Sequence, residues 1–244
     1  MNLQNVTVYL LRTLMALALG LGLGISARAM TFTPIEMDFS PTGRGATQIF
    51  RLENNTAEPA AVEMVIKSRA MAINGDDVLG DADDQFSIFP PQLVLQPGQQ
   101  QSVRVQYIGA ATIDKERAFR LVVEQLPVDL GEAPQDGGRM RLLVKYIASL
   151  YVVPRNVRAL LSVSDAQIVK EDEQRWLRFK VQNDGGTRKI LKNAKLIVGP
   201  LSLSGDALTG MEGENVLAQT ARVFRVKLPA EVLSLDSPPR IVLE

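Results

Sequence analysis

The sequence predicts an all-β chain, with a sandwich of short strands followed by a second β domain. Two observations carry that reading. From Met30 onward, apolar runs alternate with clusters of Gly, Pro and Asn at strand spacing, the pattern of a sandwich and not of βαβ units. No stretch repeats with a helical period, apart from a turn around Asp114–Arg117.

In order, the strand-like runs are "MTFTPIEMDFS", "ATQIFRLEN", "AAVEMVIKSRAMAI", "QFSIFPPQLVL" and "QSVRVQYIG". The turns between them are "PTGRG", "NTAEP", "NGDD" and "QPGQQ". The acidic stretch "NGDDVLGDADD" (Asn74 to Asp84) lacks the spacing of a calcium loop and reads as a solvated loop. "AFRLVVEQLP" (118–127) reads as a strand with Phe119, Leu121 and Val123 on one face. Arg120, Val122 and Glu124 share the other face, so an obligate cation sits near the head of an apolar strand.

A polar loop, "VDLGEAPQDGG" (Val128 to Gly138), is expected to be flexible. It leads into "RMRLLVKYIASLYVV", a run from Arg139 to Val153 about twice the usual strand length. There Met140, Leu142, Val144 and Tyr146 share one face, while Arg141 and Lys145 point the other way. Pro154-Arg155-Asn156 reads as a link, which places one domain at 30–153 and a second at 154–244. Within the second, Trp176 is expected in the core.

The first 29 residues read as an export signal. "TLMALALGLGLGIS" is a short apolar core, closed by the A-x-A site Ala27-Arg28-Ala29. Arg12 interrupts the only stretch long enough to span a bilayer. Without Arg12 and Arg28 the count of Lys and Arg falls from 27 to 25 against 27 Asp and Glu, a net charge of about −2. That balance draws in neither nucleic acid nor an anionic membrane.

The chain has no histidine and no cysteine. Histidine-dependent triads, thiol nucleophiles, imidazole and thiolate metal sites and a lipid anchor on cysteine are therefore all excluded. We expect no catalytic residue, no metal site and no cofactor. A carboxylate-pair or Ser/Lys enzyme remains a formal rival, but no Gly-rich nucleophile turn accompanies it.

Three segments, in order, resemble the PapD-like periplasmic chaperones of the chaperone–usher pathway. They are "FSIFPPQLVLQPGQQQSVRV", "ERAFRLVVEQLPVD" and the long Arg139–Val153 run. The resemblance implies two immunoglobulin-like β-sandwiches set at an angle, located in the periplasm. It implies capture of pilus or fimbrial subunits, whose own sandwich lacks a strand, and their delivery to an outer-membrane usher. The long run would be the lent strand, filling the subunit's groove with Met140, Leu142, Val144 and Tyr146 by β-augmentation. The exposed surface would be shielded by the preceding loop or by self-association when no subunit is bound.

Departures from the family's main branch fall at the subunit anchor. The two cations that hold a subunit's terminal carboxylate there align near Glu36 and Ser149, and neither is basic. The family's interdomain Glu–Arg pair falls at Gln125 and Val153, so both members are missing. The pattern is similar to that of the archaic or alternative branch, which implies Arg120 of "FRL" as the carboxylate anchor, with Lys145 as its nearest basic helper. The rival from another class is a secreted immunoglobulin-like structural subunit or adhesion module of a surface fibre.

Overall fold

A computed structural model describes residues 29–127, 143–171, 174–199, 201–229, 232, 234–235 and 239–243. Residues 1–28 of the expected export signal, the segment expected as a polar loop (Val128 to Gly138), and Met140 and Leu142 lie outside the described residues. All regular elements described are strands, apart from three short 3-10 turns.

The first part of the chain forms β1 (Thr31–Thr33), β2 (Glu36–Phe39), β3 (Thr47–Glu53), β4 (Ala60–Met71) and β5 (Asp77–Asp81). It continues with β6 (Phe86–Phe89), β7 (Gln92–Leu95), β8 (Gln100–Tyr107), β9 (Arg117–Gln125) and β10 (Lys145–Val152). These make two facing sheets. One has the order β1-β3-β8-β6, and the other β2-β10-β9-β4-β5 with β7 also on β4. Between β1 and β2 the chain crosses from one sheet to the other at Pro34, a residue that cannot donate to a ladder. The sheets close on an apolar core in which Phe86 meets Phe39, Tyr107 and Phe119 edge-on. Period-two alternation decides which side chains enter it: Phe119, Leu121 and Val123 are buried, as the sequence predicts.

The second part forms β11 (Leu161–Glu171), β12 (Gln174–Asn183), β13 (Lys189–Ile190), β14 (Ala194–Val198) and β15 (Leu201–Ser204). β16 (Asn215–Val216), β17 (Thr220–Lys227) and β18 (Arg240–Leu243) complete it. Sheets β11-β12-β17 and β15-β14-β18 enclose a separate core around Leu177, Phe179, Leu196 and Phe224. Trp176 is not in that core. It alternates with Leu177 and Phe179, so it faces outward, where the Arg225 guanidinium lies 4.0 Å from its ring centre.

Two sequence expectations need correcting. The acidic stretch is not a loop: Asp77–Asp81 is β5, paired antiparallel with the end of β4 from Met71↔Asp77 to Lys67↔Asp81. The long run expected as one strand from Arg139 enters regular β10 only at Lys145; Leu143 and Val144 are described but precede it. Residues 139–142 lie outside the described residues.

Candidate functional site

The site lies on the outward face of the β2-β10-β9-β4-β5 sheet. Register assembles its central row from five strands: Glu36, Ser149, Arg120, Lys67 and Asp81. Arg120 is thus flanked by a hydroxyl on one side and an ammonium on the other. Its Nε donates to Asp77 Oδ2 at 2.7 Å, and its Nη1 donates to Ser149 Oγ. Among the described residues its Nη2 has no partner. With 16% of the side chain exposed, the guanidinium is held but reachable.

Asp77 grips a second arginine with its other oxygen. Arg69 Nε donates to Oδ1 at 2.6 Å, and Arg69 Nη1 donates to the Tyr151 hydroxyl at 3.0 Å. Burial alone would push the Asp77 carboxyl up, but hydrogen bonds and charge from Arg120 and Arg69 outweigh it and hold it below the ordinary range.

Lys145 shares this outward face but is not brought to Arg120. It lies four residues along β10 from Ser149, about 13 Å away at strand rise, and pairs with Glu124 at 3.0 Å. Val144 and Tyr146 take the inward face, half-buried against the first core. The Tyr146 hydroxyl donates to the Met30 carbonyl oxygen. Beside them the apolar groups that face water are Leu143 and Ile147.

The edge of β10 is half open. β2 runs parallel to it and pairs from Ser149↔Glu36 to Val152↔Phe39. From Lys145 to Ala148 that edge has no strand partner among the described residues. Unpaired backbone next to exposed apolar side chains is a template for another strand.

The junction between the two cores carries a cluster that the sequence did not reveal. Arg188 donates to Glu116 at 3.0 Å, Asp38 at 2.8 Å and Glu36 at 3.2 Å. Its guanidinium also lies 3.5 Å from the centre of the Tyr151 ring. Thr187 donates to the same Glu116 oxygen at 2.5 Å. These partners lie up to 152 residues apart in sequence, so no local motif announces them.

Among the described residues, no group of three or more His, Cys, Asp or Glu is placed to hold a metal ion.

Residues 41–158 match a family described as pili and flagellar-assembly chaperone, PapD N-terminal domain. No curated protein matches the chain. Among solved structures, the chain is similar to the CsuC–CsuE chaperone–tip adhesion subunit pre-assembly complex from archaic chaperone–usher Csu pili of Acinetobacter baumannii. The identity there is 15% and the TM-score 0.57, over 84% of this chain and 90% of that one. It is also similar to the class 5 fimbriae chaperone CfaA, with 14% identity and a TM-score of 0.54 over 88% of this chain and 98% of that one. A third likeness is to Salmonella enterica SafA pilin in complex with the SafB chaperone, with 16% identity and a TM-score of 0.51 over 85% and 87%. At such identities the shared property is the all-β fold.

Proposed function

The chain belongs to the PapD-like chaperones of the chaperone–usher pilus pathway, and we propose that it captures pilus subunits by lending them β10 and the residues before it. Its family is periplasmic and not enzymatic. In this reading residues 1–29 are the export signal, the two units meet at 153/154, and the loaded chaperone passes its subunit to an outer-membrane usher.

The observation that carries the proposal is the pairing of Arg120 with the half-open edge of β10. An incoming strand can add to the Lys145–Ala148 edge through main-chain hydrogen bonds. Met140, Leu142 and Val144 then supply alternate apolar side chains to its groove, with Tyr146 at the boundary with the chaperone's own core. At about 1.5–3 kcal/mol per large apolar side chain buried, a few such plugs suffice to hold a subunit. Arg120 lies where that strand would end, next to Ser149, and its Nη2, without a partner among the described residues, would take a terminal carboxylate. A guanidinium suits that task because it stays charged and offers parallel donors. Lys145 would serve at most as a charge at the far end of the same edge. The complexes of related chaperones with a pilin and with an adhesion subunit support subunits as the partner class.

The test compares wild type with Arg120→Ala for capture of a co-expressed pilus subunit encoded beside the chaperone, and for thermal unfolding of the free protein. Loss of capture with an unchanged melting temperature is expected, and equal capture would refute the anchor. A subunit extended by a few residues beyond its C-terminus should lose its dependence on Arg120. Leu142→Asp, read in the same assay, checks the lent strand.

A further inference from the structure

We infer that Asp77 is a positioning residue for subunit capture: it fixes the Arg120 guanidinium so that the Nη2 end faces an arriving carboxylate. The inference rests on the anchor reading of Arg120 and deepens it.

Three observations carry it. The first is how the donors are shared out. Asp77 takes the Nε of Arg120 and Ser149 takes Nη1, so two of the three nitrogens are engaged from different sides and, among the described residues, Nη2 is left open. A planar fork with two of its nitrogens fixed can rotate little, so the remaining donors already point in a defined direction. Orientation set before binding removes part of the entropy cost of binding.

The second is that Asp77 is itself held. Its Oδ1 accepts from Arg69, whose side chain is only 6% exposed and is tied in turn to the Tyr151 hydroxyl. That hydroxyl also accepts from Asn215 Nδ2 on β16 at 3.1 Å. The turn before Asp77 is docked as well: Val223 N–H on β17 donates to the Ile73 carbonyl at 2.7 Å. Gly75 in that turn has a φ of +94°, and a Cβ there would stand 2.2 Å from Arg222 Nε. The carboxylate is therefore placed from both cores, and through it the second core helps to set the pose of the anchor.

The third is charge. Arg69 and Arg120 share this one carboxylate. Without it, each guanidinium would keep only a hydroxyl partner and lose its counter-charge, and the more exposed one, Arg120, would swing toward water. Loss of orientation then outweighs the relief of repulsion between Asp77 and an arriving carboxylate.

The experiment is a double-mutant cycle on capture of the co-expressed pilus subunit, using Asp77→Asn, Arg120→Ala and both together. Asp77→Asn should lower capture about tenfold in the wild-type background and change nothing in the Arg120→Ala background, since a residue acting through another has no effect once that one is gone. Asp77→Glu, which keeps the charge on a longer arm, should fall between Asp77→Asn and wild type. Capture by Asp77→Asn at or above the wild-type level, while Arg120→Ala fails, would overturn this inference and leave the anchor standing. An equal loss in both backgrounds would also overturn it. If Arg120→Ala captures normally, the anchor reading and this inference fall together. A second measurement needs no variant: the Arg120 Nε–H in the free wild-type protein should exchange with solvent more slowly than that of exposed Arg44, and equal rates would refute the fixed pose.

Discussion

Arg120 and Arg188 reach the outward face of the same sheet and are used differently. Arg188 donates to three carboxylates and lies against the Tyr151 ring, with 12% of its side chain exposed. Arg120 is nearly as sheltered but has one carboxylate and one hydroxyl, and among the described residues its Nη2 has no partner. Burial of the side chain therefore does not separate a structural arginine from a binding one: among the described residues each keeps one nitrogen without a partner, but Arg188 Nε is shut away from solvent and Arg120 Nη2 is not. Arg188 closes the seam between the two cores, and Arg120 stands open beside the half-paired edge of β10.

Substitution of Arg188 should give the largest effect on the free protein. Arg188→Ala leaves Glu116 with a side chain 1% exposed and without its cation. Breaking one member out of a buried pair costs roughly 3–5 kcal/mol. Because the partners belong to both cores, denaturant unfolding should also broaden or split into two transitions. A single transition at the wild-type midpoint would show that the seam does not depend on this residue.

Arg120→Ala should reverse the pattern. Asp77 keeps Arg69, so no carboxylate is orphaned, and the stability loss should stay well below that of Arg188→Ala. Capture should fall by about 30-fold to several thousand-fold, since truncating one side of a desolvated, hydrogen-bonded charge pair costs roughly 2–5 kcal/mol of binding. A fall in melting temperature with capture intact would make Arg120 a second Arg188. Arg120→Lys sharpens the contrast with a smaller effect. An ammonium keeps the charge but cannot hold Asp77 and Ser149 through separate nitrogens while offering a third, so capture should recover only in part. Full recovery would reduce the anchor to a point charge.

The contrast also explains what the sequence could and could not show. Alternation on β9 placed Arg120 opposite Phe119 and Leu121 because strand period is local, and that much was legible. Asp77 was not, because it sits among other acids in "NGDDVLGDADD" and reads as solvated. Only the β4–β5 register, with Asp77 opposite Met71, carries it across the sheet to Arg120 and Arg69. Arg188 and Glu116 are 72 residues apart, and their pairing depends on how the two cores meet. The expectation that the acidic position of the seam falls at Gln125 needs correcting: Glu116, just before β9, meets Arg188, and Gln125 ends that strand at its opposite end. Trp176 misled for a different reason: the size of the ring suggested a core residue, but its parity with Leu177 turned it outward.

The smallest expected effect is the acid dependence that Asp77 imparts. Its carboxyl sits below the ordinary 3.8 because the two guanidinium groups outweigh the burial that would raise it. A carboxyl whose folded pKa is depressed binds fewer protons folded than unfolded, so its contribution to stability is complete above the unfolded value. As the pH falls from about 5 through the folded value, that contribution is lost. Other carboxylates titrate in the same window, Asp81 and Asp165 among them, each lowered by its lysine partner. The informative quantity is therefore the difference in melting temperature between wild type and Asp77→Asn, in which those shared contributions cancel. That difference should be constant near neutrality and shrink on acidification, because the Asn variant has no charge at this position to lose. A difference that holds unchanged down to about pH 2 would mean that ionisation of Asp77 is not what ties Arg69 to Arg120. The open arginine would then owe its pose to Ser149 alone.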